Sequence, residues 1–293
     1  MKKSYIKRKI SVSRRIFRVF NTLIMIFLVL SVILPFCNII SQSLMNHTVG
    51  GITILPIYNK KPDIDLIAYF GAFKYDYFTR ATLVSGITTA ATTFFGLLIT
   101  SISAYILIQN DLPGKKLFAY MIIITLAFNA GLIPLFLVMK KIKLLNTLWA
   151  VILPLSINAH CIFLMWNYYK TLPKEIFDSA EIDGCTPVNT FLMIVLPMSK
   201  AALAAIGLFF AAEAWNEYYA YVAYISNPYK FNMQINMRSM FADWYESPEW
   251  SWKINIRTMQ AAWIIVISVP MVILSLFAQK FYTPEFTMAS VKE

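Results

Sequence analysis

Glu213 and Glu217 form the one close pair of carboxylates set within an apolar run, and at a spacing of four they share a face of any helix they stand on. Trp215, Asn216, Tyr218, Tyr219 and Tyr221 surround them. Carboxylates and amides exchange hydrogen bonds with hydroxyl groups, and aromatic rings stack on the apolar face of a sugar ring. The pair therefore reads either as a polar wall for a hydroxylated solute or as the end of an apolar run at a membrane interface. Gln260 and Asn129 are further polar candidates in apolar surroundings, while Thr88, Thr89, Thr92 and Thr93 read as groups that bond back to their own helix or pack against a neighbour, with a pore lining as the alternative. Catalysis is poorly supported. His47 and His160 are isolated, so no general base accompanies the glutamates. Cys37, Cys161 and Cys185 are far apart and show no metal-binding spacing, which predicts neither a metal centre nor a disulfide.

The elements that hold these residues are set by composition. Of 293 residues, 58% are hydrophobic and 14% are charged, against about 25% charged in an ordinary soluble domain. A chain this apolar calls for a bilayer as its solvent, and lipid permits only backbone that is hydrogen-bonded within its own segment, hence helices. Six apolar stretches are long enough to span: 17–40, 81–108, 117–139, 144–169, 199–224 and 258–279. The net charge of +11 comes largely from basic residues at the ends of these runs, which points to membrane orientation and away from nucleic acid. The tail holds Lys2, Lys3, Lys7, Arg8, Lys9, Arg14, Arg15 and Arg18 with no acid, so it is expected in the cytoplasm as part of an uncleaved signal anchor. Six spans then bring the C-terminus back to the same side. Lys140, Lys141 and Lys143 disagree, because this scheme places them outside.

The expected organisation is a cytoplasmic tail at 1–16, a membrane domain at 17–282 and a second cytoplasmic tail at 283–293. External segments fall at 41–79 and 225–257, the second rich in Trp and Tyr, which suits an interfacial belt or a sugar-stacking surface.

Residues 170–200 are too polar to span. Lys174 to Ile182 favours a helix with Ile176, Phe177 and Ala180 on one face. Asp183 and Gly184 should end it, and Thr186 should cap a second helix with Pro187 at its first position, running to Pro197. The product is an amphipathic helix-turn-helix on the cytoplasmic side, shaped to dock in a groove of a partner.

This stretch resembles the EAA loop of binding-protein-dependent ABC importer permeases. Asp178-Ser179-Ala180 stands at the EAA position, Asp183-Gly184-Cys185 at the D-G-A position, and Ile194-Val195-Leu196-Pro197 closes the pattern. Asp178 and Ser179 depart from the usual Glu and Ala. Leu145–Ala150 and Trp215-Asn216 add likeness to the carbohydrate branch, nearest the oligosaccharide, lipo-oligosaccharide and alginate-type systems. The end of the chain resembles the branch only in Phe281-Tyr282, Met288 and Val291-Lys292.

The resemblance implies an all-α, polytopic bundle of six spans with the type I ABC importer permease fold and a coupling helix within 171–197. It implies that Asp178, Ser179, Ala180, Asp183 and Gly184 couple to an ATPase; for such a transporter the polar and aromatic residues at membrane depth, Glu213, Trp215, Asn216, Glu217, Tyr218 and Gln260, are the candidates for the translocation path. It implies a second permease subunit, two ATPase subunits that bind ATP and Mg, an external solute-binding protein and a carbohydrate cargo. This chain itself has no phosphate-binding Gly-x-x-x-x-Gly-Lys loop, so no cofactor is expected in it. The competing reading is a secondary transporter driven by an ion gradient, which predicts inverted repeats that the sequence does not display.

Overall fold

The computed structural model describes residues 12–45, 53–58, 61–62, 64–74, 78–109, 113–128, 130–243 and 255–279. The start of the basic tail, Asn129, the aromatic stretch 244–254 and the C-terminal end from Lys280 lie outside the described residues. Contacts divide the chain into two units, Met1–Ala72 with Trp244–Ile265, and Phe73–Asp243 with Val266–Glu293.

In the first unit, α1 (Val12–Leu44) is a 33-residue apolar helix. From Ile16 to Phe36 its described side chains are all exposed within the chain, as suits a helix facing lipid or another subunit. Its C-terminal end is tied down: Ser43 Oγ lies 2.7 Å from the Tyr69 hydroxyl, and the Asp65 N–H donates to Leu44 O at 2.7 Å. Tyr69 stands on α2 (Ile67–Lys74), whose Ile67 N–H is capped by Asp65 Oδ1 at 2.9 Å. A two-residue antiparallel pairing, Ile57–Tyr58 with Lys61–Pro62, is the extended structure among the described residues.

The second unit is built on α3 (Phe78–Ile108), which packs most extensively against α11 (Lys200–Asn216) and next against α7 (Ala159–Lys170). Small residues permit this. Gly96 lies directly beneath the buried Phe210 ring, and Gly207 beneath Leu97. In a bilayer, where apolar burial drives little association, such close approach supplies the packing. One core cluster gathers Ala104, Tyr105, Met165, Tyr169, Phe191 and Val195 around one end of α3. Another gathers Val84, Met139, Val151, Tyr221, Tyr224 and Ile235 around the other end. At 1.5 Å per residue, Val84 and Ala104 are about 30 Å apart, the thickness of a bilayer core.

Among the described residues three helices are long and apolar enough to cross a membrane: Ile16–Leu44, Phe78–Ile108 and Ile256–Phe277, the last within α14 (Ile256–Ala278), which follows α13 (Met233–Asp243). Two bent pairs raise this to five if each is one span. The structure therefore modifies the expected six continuous spans at three places. The stretch 117–139 is two helices, α4 (Lys115–Ala127) and α5 (Leu132–Lys141), separated where Gly131 takes φ 82°. The stretch 144–169 is α6 (Trp149–Leu155) and α7, bent by 41° after Pro154. The stretch 199–224 is α11 and α12 (Tyr219–Tyr224), with extended backbone at Glu217.

Candidate functional site

Residues 174–198 take the shape their local chemistry dictates. α8 (Lys174–Ile182) half-buries Ile176 and Phe177 and buries Ala180. Phe177 packs on the core cluster containing Tyr169 and Phe191. The helix closes in a Schellman turn: the Cys185 N–H donates to Ala180 O at 2.9 Å and the Gly184 N–H to Glu181 O at 3.0 Å. Gly184 supplies the left-handed backbone at φ 73° that this turn requires. Thr186 Oγ1 then accepts the Asn189 N–H at 3.3 Å, and Pro187 opens α9 (Pro187–Thr190). A π turn at Phe191–Val195 leads into α10 (Leu196–Met198). The cause is Pro197, whose ring would strike the carbonyl one turn back in a tight helix, so the preceding turn widens.

This knob is anchored on one side only. The Tyr105 hydroxyl of α3 donates to Pro187 O at 3.0 Å, and the Tyr105 and Phe191 rings meet at 5.0 Å. On the outer side Asp178, Ser179, Asp183 and Gly184 are exposed, and Ile182 and Val188 are left 85% and 64% exposed. Of the residues predicted to couple, Asp178, Ser179, Asp183 and Gly184 face out, while Ala180 is the inward anchor.

A second constellation sits where α6–α7 and α11–α12 break. Asn158 caps α7, its Oδ1 accepting the N–H groups of His160 at 3.0 Å and Cys161 at 3.2 Å. That fixes the amide, so its Nδ2 donates to Glu213 Oε2 at 3.2 Å. Asn158, His160, Glu213 and Asn216 line an open cleft of ≈ 510 Å³ together with Leu164 and Phe209. The cleft offers a carboxylate, an imidazole and two amides, a set that suits solute hydroxyls, and it holds no nucleophile paired with a base. Among the described residues no three His, Cys, Asp or Glu side chains gather to hold a metal.

The expected shared face of Glu213 and Glu217 does not form. α11 ends at Asn216, and the Glu217 carboxylate turns to accept the Ala220 N–H at 2.7 Å, starting α12. The Glu217 carbonyl is held by the Asn232 amide. Trp215 points away from the cleft: it is buried, donates to Ile267 O at 3.0 Å and borders an apolar groove of ≈ 580 Å³ near Thr89 and Thr93. Tyr218 stacks under the Arg238 guanidinium, 5.3 Å from its centroid. Gln260, half-buried on α14, belongs to the first unit. Of the predicted path residues, Glu213 and Asn216 meet in one cleft. Asn158 and His160 join them there, and the signal that could have found Asn158 is an Asn after Pro154, an ordinary helix restart.

Over 290 residues the chain is 32% identical to the polygalacturonan/rhamnogalacturonan transport system permease protein YtcP of Bacillus subtilis, covering 94% of this chain and 99% of that one. The chain belongs to the carbohydrate-type permeases of ABC transporters. Protein LplC of the same organism is 31% identical over 283 residues, 95% of each chain. Among solved structures, a bacterial ABC transporter involved in the import of the acidic polysaccharide alginate superposes with a TM-score of 0.86 at 26% identity, over 94% of this chain and 100% of that one. No family model matches the sequence. As a permease of this family the chain is a multi-pass membrane protein that moves solute and is not an enzyme.

Proposed function

We propose that this permease is one of two transmembrane subunits of an ATP-driven importer, and that α8 to α10 dock on an ATPase partner at the cytoplasmic face. The observation that carries the reading is the capped, outward-facing knob at 174–198, anchored by Phe177, Ala180 and Pro187 and free on the side of Asp178, Ser179, Asp183 and Gly184. The motor is then a separate chain: ATP and Mg bind to two ATPase subunits, and an extracytoplasmic binding protein delivers the cargo. With six passages through the bilayer, α4 and α5 together making one, both termini lie in the cytoplasm.

The cargo in this reading is an oligosaccharide or polysaccharide of acidic type, supported by the cargoes named for YtcP and for the alginate importer. The cleft of Asn158, His160, Glu213 and Asn216 lines its path, with each side chain exchanging hydrogen bonds with passing hydroxyl groups as the two permease subunits rock between outward and inward states.

Gly184 is the test. A β-branched residue at φ 73° is strained whatever space surrounds it, so Gly184→Val should reshape the turn. Reconstituted with its partners, Gly184→Val is expected to keep ATP hydrolysis within a few-fold of wild type and to lose substrate uptake. Gly184→Asn, which tolerates the left-handed backbone, should retain both. Full uptake by the Val variant would overturn the assignment.

A further inference from the structure

The three lysines that sequence orientation cannot explain lie on a rigid platform. Asn146, itself left-handed at φ 60°, donates its N–H to Tyr224 O at 2.7 Å and accepts the Asn227 N–H on its side-chain oxygen at 3.1 Å. Its carbonyl also receives the Lys230 ammonium. These bonds lock the turn after α5 to the segment after α12. Lys143 is held in the same left-handed region at φ 60°, so the turn presents Lys140, Lys141 and Lys143 outward, all exposed. Arg80 lies 4.7 Å over the Tyr229 ring and Arg238 lies over Tyr218, extending the cationic face with aromatic groups.

This face belongs to the end of α3 marked by Val84, while the knob belongs to the end marked by Tyr105 and Pro187. The lysines and the knob are therefore on opposite sides of the membrane. No acidic residue occurs in the sequence from Lys115 to Lys174 to neutralise the turn. Among the described residues none of the three lysines forms an ion pair. Lysines in a short external turn that form no ion pair among the described residues work against membrane orientation. Their presence there calls for a ligand that rewards them.

We infer that Lys140, Lys141 and Lys143, on the Asn146-locked platform, form an external receiving surface for the carboxylates of an anionic polysaccharide. This rests on the proposed orientation and adds a contact that precedes the cleft. Lysines suit the task as mobile point charges that follow a chain with repeated carboxylates, where bidentate arginine forks would fix one sugar in place. Exposed Tyr219 at the same end adds an aromatic ring to this face. Such a surface acts before the cargo meets Glu213, whose carboxylate does not attract an anion.

The test is equilibrium binding to the assembled importer in zwitterionic nanodiscs, without ATP or binding protein, so failure of coupling cannot mimic failure here. The probes are labelled polygalacturonate fragments, neutral glucan fragments of matched length and poly-L-glutamate. Wild type should bind polygalacturonate in preference to both others. The Lys140→Gln, Lys141→Gln, Lys143→Gln triple variant should bind it about tenfold more weakly at low salt, with the difference vanishing near 0.5 M salt. Unchanged binding in the triple variant, or equal wild-type binding of neutral glucan, overturns the inference. Wild-type preference for poly-L-glutamate over polygalacturonate also overturns it and marks the face as one for an acidic protein. Retention of melting temperature in the triple variant shows that the loss is not unfolding.

Discussion

Glu213 and Glu217 have the same side chain, stand four residues apart and do different things. Glu213 faces the cleft and is oriented by Asn158, whereas Glu217 serves as the acceptor that starts α12. Nothing local in Ala-Trp-Asn-Glu-Tyr-Tyr announces the break between them. The Glu217 carbonyl is held by Asn232, fifteen residues on, and Trp215 is held by Ile267, fifty-two residues on. Spacing in sequence reflects only neighbouring residues, and a separation of four is compatible with one helix face whether or not the helix continues. The structure gives separable outcomes. Glu213→Leu should cut uptake by about tenfold or more while leaving the melting temperature near wild type, since the cleft is open and the side chain exposed. Glu217→Leu removes a helix-start acceptor and should cost ~1 kcal/mol of stability, while Glu217→Gln keeps the acceptor and should be close to neutral. Uptake assays in proteoliposomes beside thermal unfolding check all three, and equal effects on both readouts at both positions would refute the division.

At the scale of elements, the knob was legible because its signals are local. A Gly after Asp, a Thr before Pro and a Pro at the end each act on backbone within one turn, and α8 runs from Lys174 to Ile182 as its sequence indicates. The cleft was half legible, since Asn158 and His160 reach Glu213 only through the packing of α7 and α11. Both helices pack on α3, and the α3–α11 contact depends on Gly96, where an added Cβ would stand 2.7 Å from the Phe210 ring. Phe210 is fully buried, so its ring cannot swing clear without moving α11. Gly96→Ala should therefore cost ~1–3 kcal/mol by overpacking. At Gly207 the nearest atom to an added Cβ is a Leu97 methyl at 3.3 Å, a smaller intrusion against a flexible side chain. Thermal unfolding in nanodiscs should rank Gly96→Ala well below Gly207→Ala, and Phe210→Leu should partly rescue the first. No difference between the two glycine variants would mean that α3 and α11 tolerate separation.

For the whole molecule the open question was orientation, and charge counting divides against itself. The basic N-terminal tail favours one arrangement, while Lys140, Lys141 and Lys143 favour the reverse. The fold sets the knob at one end of α3 and the lysine platform at the other, so the two lie on opposite sides of the membrane. Cysteine accessibility resolves it. Cys185 is exposed beside Gly184 on the knob, and Cys161 is buried. With Cys37 and Cys161 replaced by Ala, a membrane-impermeant maleimide should label Cys185 in inverted vesicles and not in intact cells from which any outer barrier has been removed. In a second variant, Cys185→Ser with Lys143→Cys, the pattern should reverse. If Lys143→Cys labels only in inverted vesicles, the lysine turn is cytoplasmic after all. The tail signal would then have lost, the knob would face away from any ATPase, and both the coupling assignment and the receiving surface would fall together.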